Sequence, residues 1–398
     1  MNDIIEYIKS FLLYGDTTMT HHIGYTADES LFAQYKVVII PCGHLGKDIV
    51  LPDMEHPIIE KINKTFVVRT DLIYNTFFFI SRAEELINSQ RDEHGRFAAR
   101  FSILGQGNNL EIPIIDEYAR ILMKVLDMPL PQPHYSHIYL THDIDTLAYY
   151  RHLCGALGGI RRGHFTDVFA SLQDIHRDPA YTFPWLVEQD AKVPSADVIY
   201  FVKHTPGKGF DYPQYNTQGR DFNRLAQSLR LSGATLGVHS SYYGLPAEGR
   251  NANYFRTILA PSAPLHRSHY LRCSIQNMQR LVDLGFTDDF TMAFPDRAGF
   301  RLQTTRPVRW INPQTMTLTP LTLHPLTIMD CTLSNTDYMN LNEDEAYFFA
   351  EQLLDRVRQH AGEVTLLWHN NRISDGSYHS TLYPKLLKGL RHYSHHNE

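Results

Sequence analysis

Residues 137–145 read HIYLTHDID, and the fold expected for most of the chain follows from this stretch. Its apolar start and ionisable end describe a buried strand that finishes in chemistry. With pairing continued to Asp145, period-2 alternation puts the carboxylates of Asp143 and Asp145 on one face and His142 and Ile144 on the other. Two like charges sharing a face either raise one pKa or draw in a cation. The other reading is a capping or turn pair at a strand exit, where aspartate is common.

The same design recurs in ADVIYFVKH, ATLGVHSSYY, FTMAFPDR, LTIMDCT and VTLLWHNN, each an apolar run with a polar end. Helical patterns lie between them, in FNRLAQSLRLSG, in residues 268–285 and in NEDEAYFFAEQLLDRVRQHAG, which carries acids in its first turn and basic groups in its last. Such alternation predicts α/β architecture, with parallel strands joined by helical crossovers and functional groups at the carboxyl ends of the strands. Pro129, Pro131 and Pro133 stop the helical pattern IIDEYARILMKVL and set a domain boundary. Residues 1–130 then form a smaller mixed α/β domain of unknown role, and residues 131–398 form the main domain. In the smaller domain KVVIIP reads as a buried strand and FFFISRAEELI as a strand or the start of a helix. Its Arg82, Glu84, Glu85, Asp92 and Arg96 read as a solvated charged face.

Composition narrows the function. Lys+Arg 37 against Asp+Glu 43 gives a net charge of -6, a field that opposes binding to a phosphate backbone, so no nucleic-acid partner is expected. Cys42, Cys154, Cys273 and Cys331 form no CxxC pair and read as reduced thiols. The start MNDIIEYIKSFLLYGD lacks the pattern of an export signal, and no window approaches the roughly 20 apolar residues of a transmembrane span. A cytoplasmic location without membrane insertion is expected, and association with a membrane surface stays open. The sequence sets no oligomeric state.

Four constellations carry candidate chemistry. His239 closes an apolar run in LGVHSSYYG and reads as a ligand or as a structural imidazole. In HRSHYLR, His266 and His269 stand three apart at an expected helix start, compatible with a metal or with a basic turn. FPDRAGFR carries Asp296, Arg297 and Arg301, where Arg301 either orients a carboxylate or lies in a surface loop. His369 in TLLWHNN is placed for proton transfer or is a core histidine, and Asp330 in IMDCT is placed to bridge to it.

Taken in order, the segments from Tyr139 to Asn371 resemble the polysaccharide deacetylases of the NodB-homology class, a carbohydrate esterase family. THDID resembles the family's T-F-D-D-G motif, with Asp143 matching the base and Asp145, one position beyond the strict alignment at Ile144, standing for the metal-ligand Asp. HSSYY resembles H-[ST]-x-x-H, with His239 matching the first histidine and Tyr243 in place of the second. A phenol with a pKa near 10 is a poor ligand at neutral pH, so His269 is the expected replacement, ahead of His266 and His204. Phe300 and Arg301 resemble the F-R-x-P segment whose Arg orients the base, without the proline, and Leu367, Trp368 and His369 match the L-x-H of the catalytic histidine.

The resemblance implies a distorted (β/α) barrel and a metal-dependent hydrolase that removes N- or O-linked acetyl groups from a carbohydrate. Zinc is the expected metal, with iron or cobalt as alternatives. Asp143 would be base, His369 acid and Arg301 the orienting residue; Asp145, His239 and His269 would hold the metal. Substrate contacts are expected at Tyr242, Tyr243, Asp296 and Asp330, with Tyr212 and Trp310 as further sugar-stacking candidates. Two other functions remain: a glycan-binding barrel that has lost catalysis, which the missing second histidine would allow, and a metal-dependent amidohydrolase on a non-sugar amide.

Overall fold

Alternation along the central strands decides what lies inside the molecule. The computed structural model describes residues 1–43, 48–54, 56–107, 109–203, 209–212, 215–245, 264–373 and 377–394. Among these, the N-terminal part carries a small sheet of β1 (Ile23–Tyr25), β2 (Val37–Ile39), β3 (Ile59–Ile62) and β4 (Thr65–Val68), in the order β1-β2-β4-β3. The rest is built on β5 (His137–Ile144), β6 (Asp197–Lys203), β7 (Thr235–Ser240), β8 (Leu265–Ser268), β9 (Asp288–Met292), β10 (Val308–Asn312), β11 (Thr317–Pro325), β12 (Ile328–Met329) and β13 (Glu363–Leu367). Their order is β10-β11-β9-β8-β7-β6-β5-β13-β12, all pairs parallel except β10 with β11.

This sheet curls like a barrel, and one segment joins its ends. β11 pairs with β9 through Pro325 opposite Met292, and Leu326 donates its N–H to the Met292 carbonyl. One residue later Thr327 donates to the Thr365 carbonyl, and β12 continues along β13. His324 fastens the seam, with Nδ1 2.9 Å from Glu363 Oε1 on β13 and Nε2 3.0 Å from Asp288 Oδ1 on β9. Its ring stacks on Phe290 at 4.2 Å.

Inside the curl the side chains form layers, as alternate residues of parallel strands do. Tyr139, Phe290 and His324 fill the lower layer. Phe201 and the Arg267 guanidinium fill the next, 4.7 Å apart. Gly237 on β7 leaves room for that layer, because a Cβ there would meet the Phe201 ring at 2.6 Å. The outward residues of β5 face helices instead: His142 is fully buried between the Trp368 carbonyl and Asp190 of helix Phe183–Asp190.

The structure corrects several sequence expectations. Residues 265–268 pair with β7 and β9 as a strand, so His266 and His269 do not share a helix face, and the helix begins only at Ile275. The residues FFF of 77–79 lie in helix Leu72–Ile80, whose burial on all sides explains its resemblance to a buried strand. Arg82, Glu84, Glu85 and Arg96 are buried, not solvated. Arg82, Glu85 and Arg96 bond to the main part of the chain, Glu84 bonds to Ser102 and Ile103, and residues 1–130 share one continuous apolar core with the rest. Asp116, fully buried, accepts hydrogen bonds from Thr304, Thr305 and Arg306 across this contact.

The seam should be sensitive to base. Burial disfavours a charged His324, but Glu363 and Asp288 outweigh it and raise its pKa to about 9. A raised folded-state pKa means that this contribution to stability is fully present below about pH 6.5 and is lost as pH rises through about 9. Thermal unfolding followed by circular dichroism should show the melting temperature falling across this window in the wild type, and falling less in His324→Gln.

Candidate active site

At the carboxyl ends of the strands, a cleft of about 430 Å³ opens above the buried layers. Alternation along β5 carries Tyr139 and Thr141 inward and then delivers Asp143 and Asp145 to the mouth. The two carboxylates lie on the same face: His239 Nε2, from the end of β7, is 3.6 Å from Asp143 Oδ2 and 3.4 Å from Asp145 Oδ1. His269, one residue past β8, places Nε2 3.3 Å from the same Asp145 oxygen.

Asp145, His239 and His269 offer three ligand atoms within 4.8 Å of one another. Both imidazoles are oriented through their other nitrogen. His239 Nδ1 donates to the Arg267 carbonyl at 3.1 Å, and His269 Nδ1 meets Asp211 Oδ1 at 2.9 Å. Asp211 is held in turn by Ser241 Oγ and the Tyr242 N–H. This support leaves Asp145 Oδ1 and His239 Nε2 buried and, among the described residues, without a hydrogen-bond partner. Orphaned buried polar atoms are costly unless something satisfies them. Two oriented imidazoles and a carboxylate suit a borderline divalent ion such as zinc, iron or cobalt. The donor set therefore fits the expected metal. Electrostatics agree: burial works against the charge on Asp145, yet His269 and His239 hold its pKa well below the ordinary carboxylate range. Burial likewise opposes charge on His269, but Asp145 and Asp211 raise its pKa.

His369 faces Asp143 and Asp145 across the mouth, with Nε2 3.9 Å from an oxygen of each. Asp330 fixes it doubly, accepting the His369 backbone N–H at 2.8 Å and facing Nδ1 at 2.7 Å. Burial would lower the pKa of His369, but Asp330 and the two mouth carboxylates raise it to about 9. Asp330, Cys331 and His369 also lie close enough to resemble a metal site. Both Asp330 oxygens are already engaged, and burial pushes the Cys331 thiol up, so this cluster is suited to orienting His369.

Arg301 departs from its expected role. Its guanidinium contacts Glu85 at 2.7 Å and the Ala293 carbonyl at 2.8 Å, within a buried network that includes Arg82. Arg267 stands beside Asp143 instead. Fully buried on β8, it donates from Nη1 to Thr141 Oγ1 at 2.9 Å and to Asp143 Oδ1 at 3.4 Å, and from Nε to the Phe290 carbonyl. The sequence carried a signal for it, since alternation along LHRSH puts Arg267 on the face of His269. Lys203 was also missed. It pairs in register with His239, lines the cleft, and makes no side-chain hydrogen bond or ion pair among the described residues. Burial lowers its pKa, and Asp145, Asp211 and Asp143 oppose that effect.

The expected substrate contacts separate. Asp330 sits behind His369. Asp296 caps the turn at Ala99, accepting its backbone N–H at 2.7 Å, away from the carboxylate pair. Tyr242 is largely buried, with its hydroxyl 3.3 Å from His94 Nδ1, and exposed Tyr243 does not line the cleft. Trp310 is a core residue that donates to the Ser81 carbonyl. Tyr212 lines the cleft together with Phe210, Tyr270 and Tyr338. His266 points outward to Asp289, and His204 lies outside the described residues. One wall comes from the N-terminal part: His94 packs on Phe210 and Tyr270, and Arg96, paired with Asp92 at 2.7 Å, reaches the Tyr270 carbonyl and the Tyr338 hydroxyl.

Residues 2–131 match the model of a family of unknown function, DUF7033. Among solved structures, the chain is similar to a proposed polysaccharide deacetylase from Mycobacterium smegmatis, with 15% identity over 66% of this chain and 87% of that one and a TM-score of 0.40. It is also similar to a proposed polysaccharide deacetylase involved in O-antigen biosynthesis from Bordetella bronchiseptica, with 20% identity over 62% and 77% of the two chains and a TM-score of 0.33. No curated protein matches.

The Glu85 network predicts a structural role for Arg301. Glu85→Gln leaves Arg82 and Arg301 buried beside a neutral partner, and removing one member of a buried ion pair costs about 3–5 kcal/mol. Urea unfolding should register a loss of that size, whereas Glu93→Gln at an exposed position should change stability by less than about 0.5 kcal/mol.

Proposed function

We propose that the chain hydrolyses acetyl groups, N- or O-linked, on a carbohydrate, with Asp143 as base and His369 as acid. The observation that carries this reading is the placement of these two groups on opposite sides of one mouth, beside a buried ligand triad whose orphaned atoms call for a cation. Asp145, His239 and His269 would hold a divalent ion, zinc by default. When bound, that ion supplies positive charge that acidifies a water molecule and polarises an acetyl carbonyl.

The protein's own groups do the rest. Asp143 accepts a proton from the attacking water, and the Arg267 guanidinium beside it fixes its direction. As water oxygen bonds to the acetyl carbon, negative charge develops on the carbonyl oxygen. Lys203, which lines the cleft, is available to stabilise it. His369, with Nδ1 committed to Asp330, presents Nε2 to the leaving atom and gives it a proton as the C–N or C–O bond breaks. Acetate and a free amine or hydroxyl result. Tyr270, Phe210 and Tyr212 offer ring faces to the apolar C–H surface of a sugar.

Acetate release from a panel of acetylated oligosaccharides, with cyclic amides as controls, tests this reading. Asp143→Asn and His369→Ala should each lower turnover about 10²- to 10⁴-fold while bound zinc is retained. His239→Ala and His269→Ala should lose the zinc itself. Full activity in either acid–base variant would sink the assignment of roles.

A further inference from the structure

Beside the cleft, two consecutive helices leave their apolar residues in solvent. They are helix Leu153–Arg161 and helix Phe165–Gln173. Leu153, Leu157 and Ile160 recur at i, i+4 and i+7 on the first, and Phe165, Phe169 and Leu172 repeat that spacing on the second. All six are exposed, Leu153 at 75% and Phe169 at 61%. This spacing normally marks the face a helix buries, and soluble monomers seldom expose contiguous apolar patches of that size.

The hairpin is firmly rooted. Asp178, 3% exposed, accepts hydrogen bonds from the backbone N–H groups of Tyr149 and Tyr150 and from Ser171 Oγ, which ties the segment leading into the first helix and the end of the second to one carboxylate. Arg151 adds a bond to the Ser171 carbonyl. The root is also part of the cleft rim: the Tyr149 hydroxyl donates to the Asn371 carbonyl, and His152 meets Tyr212 edge to face at 5.7 Å. Asn371 and Tyr212 both line the cleft.

Charge indicates what covers this face. Residues 151–177 hold four arginines against two aspartates in a chain whose net charge is -6. Arg161 and Arg162 stand exposed at the turn between the helices. Exposed apolar stripes flanked by arginine suit the interface of an anionic bilayer. In a two-fold pair of copies the same patch would meet itself and set arginine against arginine. Neither helix, at nine residues, can span a bilayer, so the contact is one of lying in the surface.

We propose that the hairpin of residues 153–173 docks on an anionic membrane surface and holds the cleft mouth against it. Resting on the deacetylase reading above, this makes the substrate a glycan carried on a lipid. Docking itself is independent of catalysis and is tested separately.

The experiment is co-sedimentation of the full chain with vesicles of equal parts phosphatidylglycerol and phosphatidylethanolamine, and with phosphatidylcholine vesicles. The wild type should pellet with the anionic vesicles and release on raising salt. The double variant Leu157→Glu, Phe169→Glu changes only exposed positions, so its melting temperature should hold while binding falls at least about tenfold. Arg161→Glu with Arg162→Glu should abolish the preference for the anionic lipid. Wild type left in the supernatant, or a double variant that pellets as well as wild type, overturns the proposal. So does light scattering that shows a wild-type dimer which the double variant dissociates, because the face then belongs to a second copy. Binding that persists in a chain inactive on every acetylated sugar would leave docking standing and the deacetylase reading refuted.

Discussion

A guanidinium without access to solvent supports the chemistry of this molecule. Arg267 lies inside the curled sheet, above Phe201 and below the carboxylates of the mouth. An isolated buried charge is expensive, and it is tolerated when its donors are used and a countercharge lies close. Arg267 meets that condition in part, through the Phe290 carbonyl, Thr141 Oγ1 and Asp143, which come from β9 and β5, while its Nη2 is buried without a hydrogen-bond partner among the described residues. The same bonds join strands on different sides of the curl. Packing and site chemistry therefore share one constraint: the sheet must close at a radius that lets β8 reach β5 across the interior.

Above that layer the site is a set of matched pairs. Asp211 orients His269, Asp330 orients His369, and the Arg267 carbonyl orients His239. Each imidazole thus presents a chosen nitrogen to the mouth. Asp145 is the exception, with a buried oxygen facing two imidazole nitrogens and no hydrogen bond of its own. The asymmetry separates Asp143, which takes a hydrogen bond from Arg267, from Asp145, although both come from a single strand end.

Much of this was legible in the sequence because alternation is local. THDID alone is enough to put Asp143 and Asp145 on one face, and the apolar runs before His239 and His369 are enough to bring them to strand ends. The third imidazole, His269, needed the resemblance. What stayed hidden depended on pairing across the sheet. The strand at 265–268 is only four residues long and holds His266 and Arg267, so its polarity masked it, although both are buried once β7 and β9 flank it. Arg301 and Arg267 are both buried arginines. Only three-dimensional closure separates the one beside Glu85 from the one beside Asp143. Glu85 itself looked solvated because its partners are 216 and 3 residues away, and the distant one cannot be read from local periodicity.

The same long-range dependence governs the cleft walls. His94 and Arg96 precede the sheet by more than a strand's reach in sequence, yet they pack against Phe210, Tyr270 and Tyr338 from three later segments. Their loop is not free to adapt, since Asp92 binds Arg96 through side chain and backbone, and Arg272 Nε donates to the His94 carbonyl. Below it, Glu85 and Asp116 take charged hydrogen bonds from the main part of the chain. A shift of the N-terminal part would break buried ion pairs before it could widen the cleft. The shape presented to a ligand is for this reason a property of the whole chain, although Asp143, Asp145, His239, His269 and His369 all lie on or next to strands of the curled sheet.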